Sequence, residues 1–148
     1  MVTLIEVIEH VTDPLRLLRA AATFLRPGGM LYLTTPNFNS LSRHLLGASW
    51  SAIHPREHRS YFTVGLLGSL LKTFGFAVRG VRTTGLNYHE VVNRLVLHKE
   101  DSGRGKLQET RAEIERSAGL TLLKSSTNCV LSLLRLGDTI KVYAERSP

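Results

Sequence analysis

Hydrophobic positions along this chain switch between a period of two and a period near three and a half, and the switches mark out its elements. The opening run Val2 to Glu6 is β-branched and aliphatic, and it predicts a short buried strand that ends at a carboxylate. Thr12 or Asp13 can cap a helix, with Pro14 at its first position, where a missing N–H is tolerated. Leu15, Leu18, Ala22 and Leu25 recur at helical spacing, and Pro27-Gly28-Gly29 stops the helix. Met30 to Thr35 reads as a second strand, ended by Pro36-Asn37. Thr63 caps a further helix with Leu66, Leu67, Leu70, Leu71 and Phe74 as its buried stripe. Gly75 ends that helix, and Ala77 to Thr83 reads as a third strand. Residues 99–110 are charged and contain glycine; a polar helix through about Arg116 and an apolar one from Leu120 to Leu136 follow. In the apolar helix Leu123, Val130 and Leu134 share a face, which is expected to pack on the domain. Gly137-Asp138 turns into a last strand, Thr139 to Ala144.

Strand, helix and strand in this order form the βαβ crossover of a parallel sheet, so the fold class is α/β. Residues 38–62 make a polar and aromatic connection long enough to serve as a binding loop or to carry small helices. No internal repeat and no second domain is visible. A buried strand normally lies deep inside a chain, so the abrupt start predicts that residues 1–148 are only part of a domain.

Composition adds limits. With 43% hydrophobic and 21% charged residues, the 148-residue chain can bury one core. Its net charge of +7 raises the question of a nucleic-acid partner. Arg16, Arg19 and Arg26 are balanced by Glu6, Glu9 and Asp13, however, and the remaining excess is scattered, which argues against one. Cys129 stands alone, which excludes an internal disulfide; the single thiol fits a reducing cytoplasm, and its apolar neighbours Val130 and Leu131 predict a packed residue. No segment reaches the roughly 18 uninterrupted apolar residues that a membrane span needs.

Four motifs in order carry a resemblance: Glu6-Val-Ile-Glu-His10-Val with Asp13-Pro14, Leu25-Arg-Pro-Gly-Gly29, Thr34-Thr-Pro-Asn37, and His58-Arg-Ser-Tyr-Phe-Thr63 with Phe74-Gly-Phe76. Together they resemble the class I S-adenosylmethionine-dependent methyltransferases, in the branch that holds the ubiquinone-biosynthesis O-methyltransferases. The match is good through about residue 83 and weak afterwards, apart from the last strand. It implies the C-terminal half of a doubly wound, mostly parallel, Rossmann-like sheet, with strands four to seven present. Residues 38–62 become the acceptor-side loop, and residues 99–136 a helical insertion before the last strand. Three βα units, about 90–100 residues, would then lie upstream and carry the glycine-rich turn and the ribose-binding acid of the cofactor site. No substitute is present: Gly28-Gly29 ends a helix, Gly65 and Gly68 lie within one, and Gly103-Arg-Gly105 follows no strand.

The resemblance places S-adenosyl-L-methionine against Ile5 and Val7, for which plain core packing is the alternative. It also implies a divalent metal, Mg²⁺ or Mn²⁺, on Glu6, Glu9, His10 and His58, with His54 as the alternative to His58. Positions i, i+3 and i+4 can converge on one side of a turn, and such a metal would lower the pKa of an acceptor hydroxyl. Without a metal, His10, His54 or His58 serves as general base, or positioning alone suffices. Phe38, Trp50, Tyr61 and Phe62 either stack on a planar acceptor or plug the loop onto the sheet. Arg43, Arg56 and Arg59 either meet a phosphate or carboxylate or are solvated. The reading that follows is O-methylation of a small-molecule hydroxyl, with the isolated chain inactive for want of the cofactor-binding half. The rivals are RNA 2′-O-methylation and a non-catalytic module that self-associates through an exposed sheet edge.

Overall fold

A computed structural model describes residues 1–86, 91 and 129–148. Four strands form one sheet in the order β1-β2-β4-β3, with β1 at Val2–Ile5, β2 at Met30–Pro36, β3 at Phe76–Thr84 and β4 at Thr139–Arg146. β1 and β2 are parallel, with Leu4 beside Leu33 and Ile5 beside Thr34. Helix α1, Pro14–Phe24, makes the crossover between them. The connection from β2 to β3 contains α2 at Leu41–Leu46, a single 3₁₀ turn at Gly47–Ser49, and α3 at Val64–Thr73. It leaves one place in the sheet, which β4 fills antiparallel to both neighbours.

The caps follow from local chemistry. Asp13 accepts from the Arg16 amide at 2.8 Å and Thr63 accepts from the Leu66 amide at 3.2 Å, so each helix start has one orphan donor satisfied. Helix α1 ends at Phe24 with Leu25 extended as its C-cap; Gly28, at φ 77° in the turn that follows, donates its N–H to the Arg146 carbonyl and locks that turn onto the end of β4.

The core lies on one face of the sheet. Leu31, Leu33, Ile140, Val142, Ala144 and Phe76 pack against Leu18, Ala21, Ala22 and Leu25 of the first crossover and Leu67 and Leu71 of α3. The opposite face carries Tyr32 against Tyr143, ring centroids 4.8 Å apart, at paired positions of β2 and β4.

Several expectations shift. β1 is half-exposed, not buried, because it lies at the edge of the sheet: Thr3 and Ile5 face outward and only Val2 and Leu4 reach the core. Leu15 and Leu66 are exposed, and Ala21 takes a place in the α1 stripe that the spacing alone gave to Leu15. In the 129–133 helical segment Leu131 is the buried residue, while Val130 and Leu134 are exposed; Leu123 lies outside the described residues, as do the 99–110 stretch and the polar helix. Cys129 is exposed, because the face that packs is that of Leu131. Among the described residues no helix is long and apolar enough to cross a membrane.

Candidate metal centre at the end of the first strand

The site is built where β1 stops. Glu6 adopts φ 50°, a left-handed conformation uncommon outside glycine, and its N–H donates to the Thr34 carbonyl at 3.1 Å and hydroxyl at 3.2 Å. The backbone then turns, closed by the His10 amide on the Val7 carbonyl at 3.1 Å. This turn sends Ile8 and Glu9 into the interior and leaves Ile5, Glu6, Val7 and His10 outside.

Glu9 is 1% exposed. Its Oε2 accepts from the Thr35 hydroxyl at 2.9 Å, whereas Oε1 is buried with no hydrogen-bond partner and lies 3.8 Å from Nε2 of His10. A buried carboxylate oxygen without a donor is costly, and such an orphan needs a partner. The Glu9 carbonyl also accepts from the Arg59 and Ser60 amides, at 2.7 and 3.2 Å, which clamps the acceptor-side loop against the turn.

That clamp brings in His58. Its Nδ1 lies 2.7 Å from the Ala52 carbonyl, and Nδ1 of His10 lies 2.9 Å from the Glu57 carbonyl. A carbonyl only accepts, so both imidazoles carry their proton on Nδ1, and in the neutral form both present a bare Nε2. The two rings meet edge to face, 4.7 Å between centroids. Glu9, His10 and His58 each offer a ligand atom within 4.8 Å of the others. Holding the outer nitrogen of each histidine on a carbonyl is how metal-ligating imidazoles are oriented.

The remaining residues named from the sequence separate into different places. Glu6 stands outside this group. Desolvation of its carboxyl raises its pKa above the ordinary 4.5, and the Glu9 charge adds to this against a Thr34 hydrogen bond and the His58 charge. His54 is exposed, with Nδ1 3.9 Å from the Glu57 carboxylate, and contributes its carbonyl to the turn that presents His58. Ile5 is 59% exposed and Val7 36%, so neither is a core residue. Trp50 and Phe62 are buried and plug the loop, whereas Phe38 and Tyr61 are half-buried. Arg56 and Arg59 are exposed. Thr35 was not singled out from the sequence; a threonine pair at the end of a strand parallel to β1 was the available signal.

Comparison with known proteins agrees with the fold. A methyltransferase-domain family model matches residues 1–81, more than half of the chain, and the chain belongs to that family. The ubiquinone biosynthesis O-methyltransferase of Aeromonas salmonicida is 32% identical over 105 residues, covering 67% of this chain and 43% of that protein. The protein of the same name from Stutzerimonas stutzeri is 30% identical over 103 residues, covering 66% and 44%. The chain thus spans less than half the length of these curated relatives. A solved S-adenosylmethionine-dependent methyltransferase from Thermotoga maritima, described as a possible histamine N-methyltransferase, shares the fold. Its TM-score is 0.56 at 17% identity, over 98% of this chain and 54% of that one.

Proposed function

We propose that the chain carries the acceptor side of an S-adenosylmethionine-dependent O-methyltransferase that acts on a small hydroxylated molecule. The observation that carries this reading is the Glu9–His10–His58 group at the carboxyl end of β1, where an open α/β sheet binds its ligands. The names of the two ubiquinone-pathway relatives support an oxygen acceptor.

The donor set fits a divalent cation: one buried carboxylate oxygen lacks any hydrogen bond, and two imidazoles are held by their outer nitrogens. One carboxylate and two imidazoles suit Mn²⁺ better than Mg²⁺, which prefers oxygen. When bound, the cation would make an acceptor hydroxyl more acidic, and the cofactor would supply an electrophilic methyl group. Glu9, His10 and His58 are the residues that would hold the cation. Without it, the bare Nε2 of His10 is placed to take the hydroxyl proton.

For the cofactor the fit is partial. Ile5 and Val7 offer apolar surface beside the site, but none of the four described strands runs into a glycine-rich turn. On this reading the described strands do not by themselves supply the cofactor site. The test is calorimetry with S-adenosylmethionine on this chain and on a fusion in which the first half of the Aeromonas relative precedes Val2. Binding and methylation of catechol by the fusion, with neither by the chain, is the expected result. Micromolar cofactor binding by the chain alone would remove the claim of dependence, and a fusion that binds cofactor but methylates no hydroxyl would remove the O-methyltransferase reading.

A further inference from the structure

A cavity of about 380 Å³ opens between the last turns of α1 and α3, lined by Arg19, Thr23, Thr73, Phe74, Gly75 and Arg146 among others. It lies at the end of the sheet where β2 starts, since Arg146 follows Glu145, the partner of Met30. The length of β2, about 20 Å, thus separates it from the candidate metal centre. Nη1 of Arg146 donates to the carbonyls of Gly75, at 2.9 Å, and Phe74, at 3.4 Å, and an added Cβ on Gly75 would collide with that nitrogen. The Arg146 backbone is tied down as well, its N–H to the Gly29 carbonyl and its carbonyl to the Gly28 N–H. Its Nε and Nη2 make no hydrogen bond among the described residues, which leaves one edge of two parallel donors free. From α1 the guanidinium of Arg19 reaches over the same place, 6.0 Å from the centroid of the Phe74 ring, with no carboxylate partner among the described residues.

We infer that Arg19 and Arg146 form a binding site for an organic phosphate monoester. Two guanidiniums from different elements meet at Phe74, and neither α1 nor α3 carries an acidic residue to balance them. Glu57 is the single acid between Asp13 and Glu90 in the chain, and it pairs with His54 in the acceptor-side loop. Capping the carbonyl end of α3 accounts for Nη1 of Arg146, but not for Arg19, which sits midway along α1. The carbonyl ends of the two helices oppose an anion with about half a charge each, so two guanidiniums leave the cavity a net positive charge of about one. A phosphate monoester carries nearly two negative charges at neutral pH, and its oxygens suit the free edge of Arg146. Because Arg146 is fixed before a ligand arrives, binding pays less to order it. Phe74 gives the organic part of the ligand a ring to lie against, and the volume falls within the range of small-molecule sites. The site shares no residue with the candidate metal centre, so either can fail alone.

The experiment is calorimetry on the full chain at constant ionic strength, with inorganic phosphate and with phenyl phosphate. Phosphatidylcholine vesicles with and without phosphatidic acid form a third arm, because a lipid headgroup offers the same group and Phe24 stands exposed beside Thr23. Phenyl phosphate should bind about two- to tenfold more tightly than inorganic phosphate, the worth of one ring contact. Arg19→Gln should weaken it about tenfold, whereas Arg16→Gln, which removes the same charge one turn earlier on α1, should change it less than about twofold. Arg146→Lys keeps the charge but gives up the fork and should also weaken binding; if that chain fails to fold, Arg19→Gln on the exposed side of α1 decides. Amide shifts on adding phenyl phosphate should centre on Thr23, Gly75 and Arg146. Shifts centred on His10 and His58 overturn the site, as do equal losses in Arg16→Gln and Arg19→Gln. Inorganic phosphate binding as tightly as phenyl phosphate assigns a general anion site and also overturns it, as does binding by none of the probes. Vesicle binding that needs phosphatidic acid and is lost in Arg19→Gln, without binding of the soluble probes, upholds the phosphate monoester and places it on a lipid.

Discussion

The Thr35 hydroxyl holds Oε2 of Glu9 at 2.9 Å and thereby leaves Oε1 facing His10. Both residues are buried, and 26 positions separate them in the chain. Thr35→Val keeps the shape of the side chain and deletes the donor, so a buried carboxylate loses a hydrogen bond. Urea unfolding should show a loss of about 1–3 kcal/mol. Mn²⁺ affinity, read from water-proton relaxation, should fall about ten- to a hundredfold, the usual effect of removing a group that orients a ligand. Unchanged stability and unchanged affinity would mean that packing alone fixes Glu9.

His58 and His54 are separated by the same measurement. His58 belongs to the group with Glu9 and His10, whereas His54 is exposed and pairs with Glu57. His58→Gln should abolish the Mn²⁺ relaxation effect. His54→Gln removes an imidazole but keeps the carbonyl that turns the loop, and should leave Mn²⁺ binding intact. The reverse pattern would move the site to His54.

Glu6 gives a pH dependence with a definite sign. Its pKa in the folded chain lies above the ordinary 4.5, chiefly through desolvation, so the folded state binds the proton more tightly than the unfolded state. The stabilisation is complete on the acid side of 4.5 and is lost as pH rises through the raised value. Glu6→Gln should therefore flatten the fall in stability across that window and be the more stable chain, relative to wild type, at neutrality. Urea unfolding in the presence of a chelator, from below 4.5 to neutrality, checks it; a wild-type stability that climbs through the window relative to Glu6→Gln would reverse the assignment.

The elements were legible from sequence where local chemistry decides them. Asp13, Pro14, Thr63 and Gly75 mark helix ends whose caps depend on near neighbours, and all four stand as the spacing predicts. The site was legible only in part. Glu9, His10 and His58 were named and meet in one group, whereas the course of the chain at Glu6, left-handed and tied to Thr34 of the neighbouring strand, was not legible. Thr34 and Thr35 point to opposite faces of β2; the Thr34 hydroxyl accepts from the Glu6 amide and the Thr35 hydroxyl donates to the Glu9 carboxylate, a division set by register and not by composition. The split of the loop's aromatics, Trp50 and Phe62 inside with Phe38 and Tyr61 toward the site, likewise depends on where the Glu9 carbonyl clamps the loop.

The sequence shows Asn37 after a strand and at the end of one resemblance motif, with no role for its side chain, yet it is fully buried and joins three segments. Its Nδ2 donates to the carbonyls of Arg135, at 3.0 Å, and Gly137, at 2.8 Å, while its Oδ1 accepts from the Asn39 amide at 3.1 Å. Gly137 has no room for a side chain, since an added Cβ would lie 2.7 Å from the Thr84 nitrogen, so the turn into β4 is held closely against the end of β3. Arg135, at φ 59°, is held in the left-handed region at the same turn. Asn37→Ala leaves two carbonyls and one amide without their partner and opens a gap between β2 and the start of β4. The expected loss is about 2–4 kcal/mol, more than for an ordinary surface change, with urea unfolding as the measurement. Because β2 pairs with β4 along the whole length of β2, from Pro36–Thr139 to Met30–Glu145, the loss should also raise amide exchange at Ile140 and Val142. A loss in stability without faster exchange in β4 would place the role of Asn37 in its own loop and not in seating the last strand.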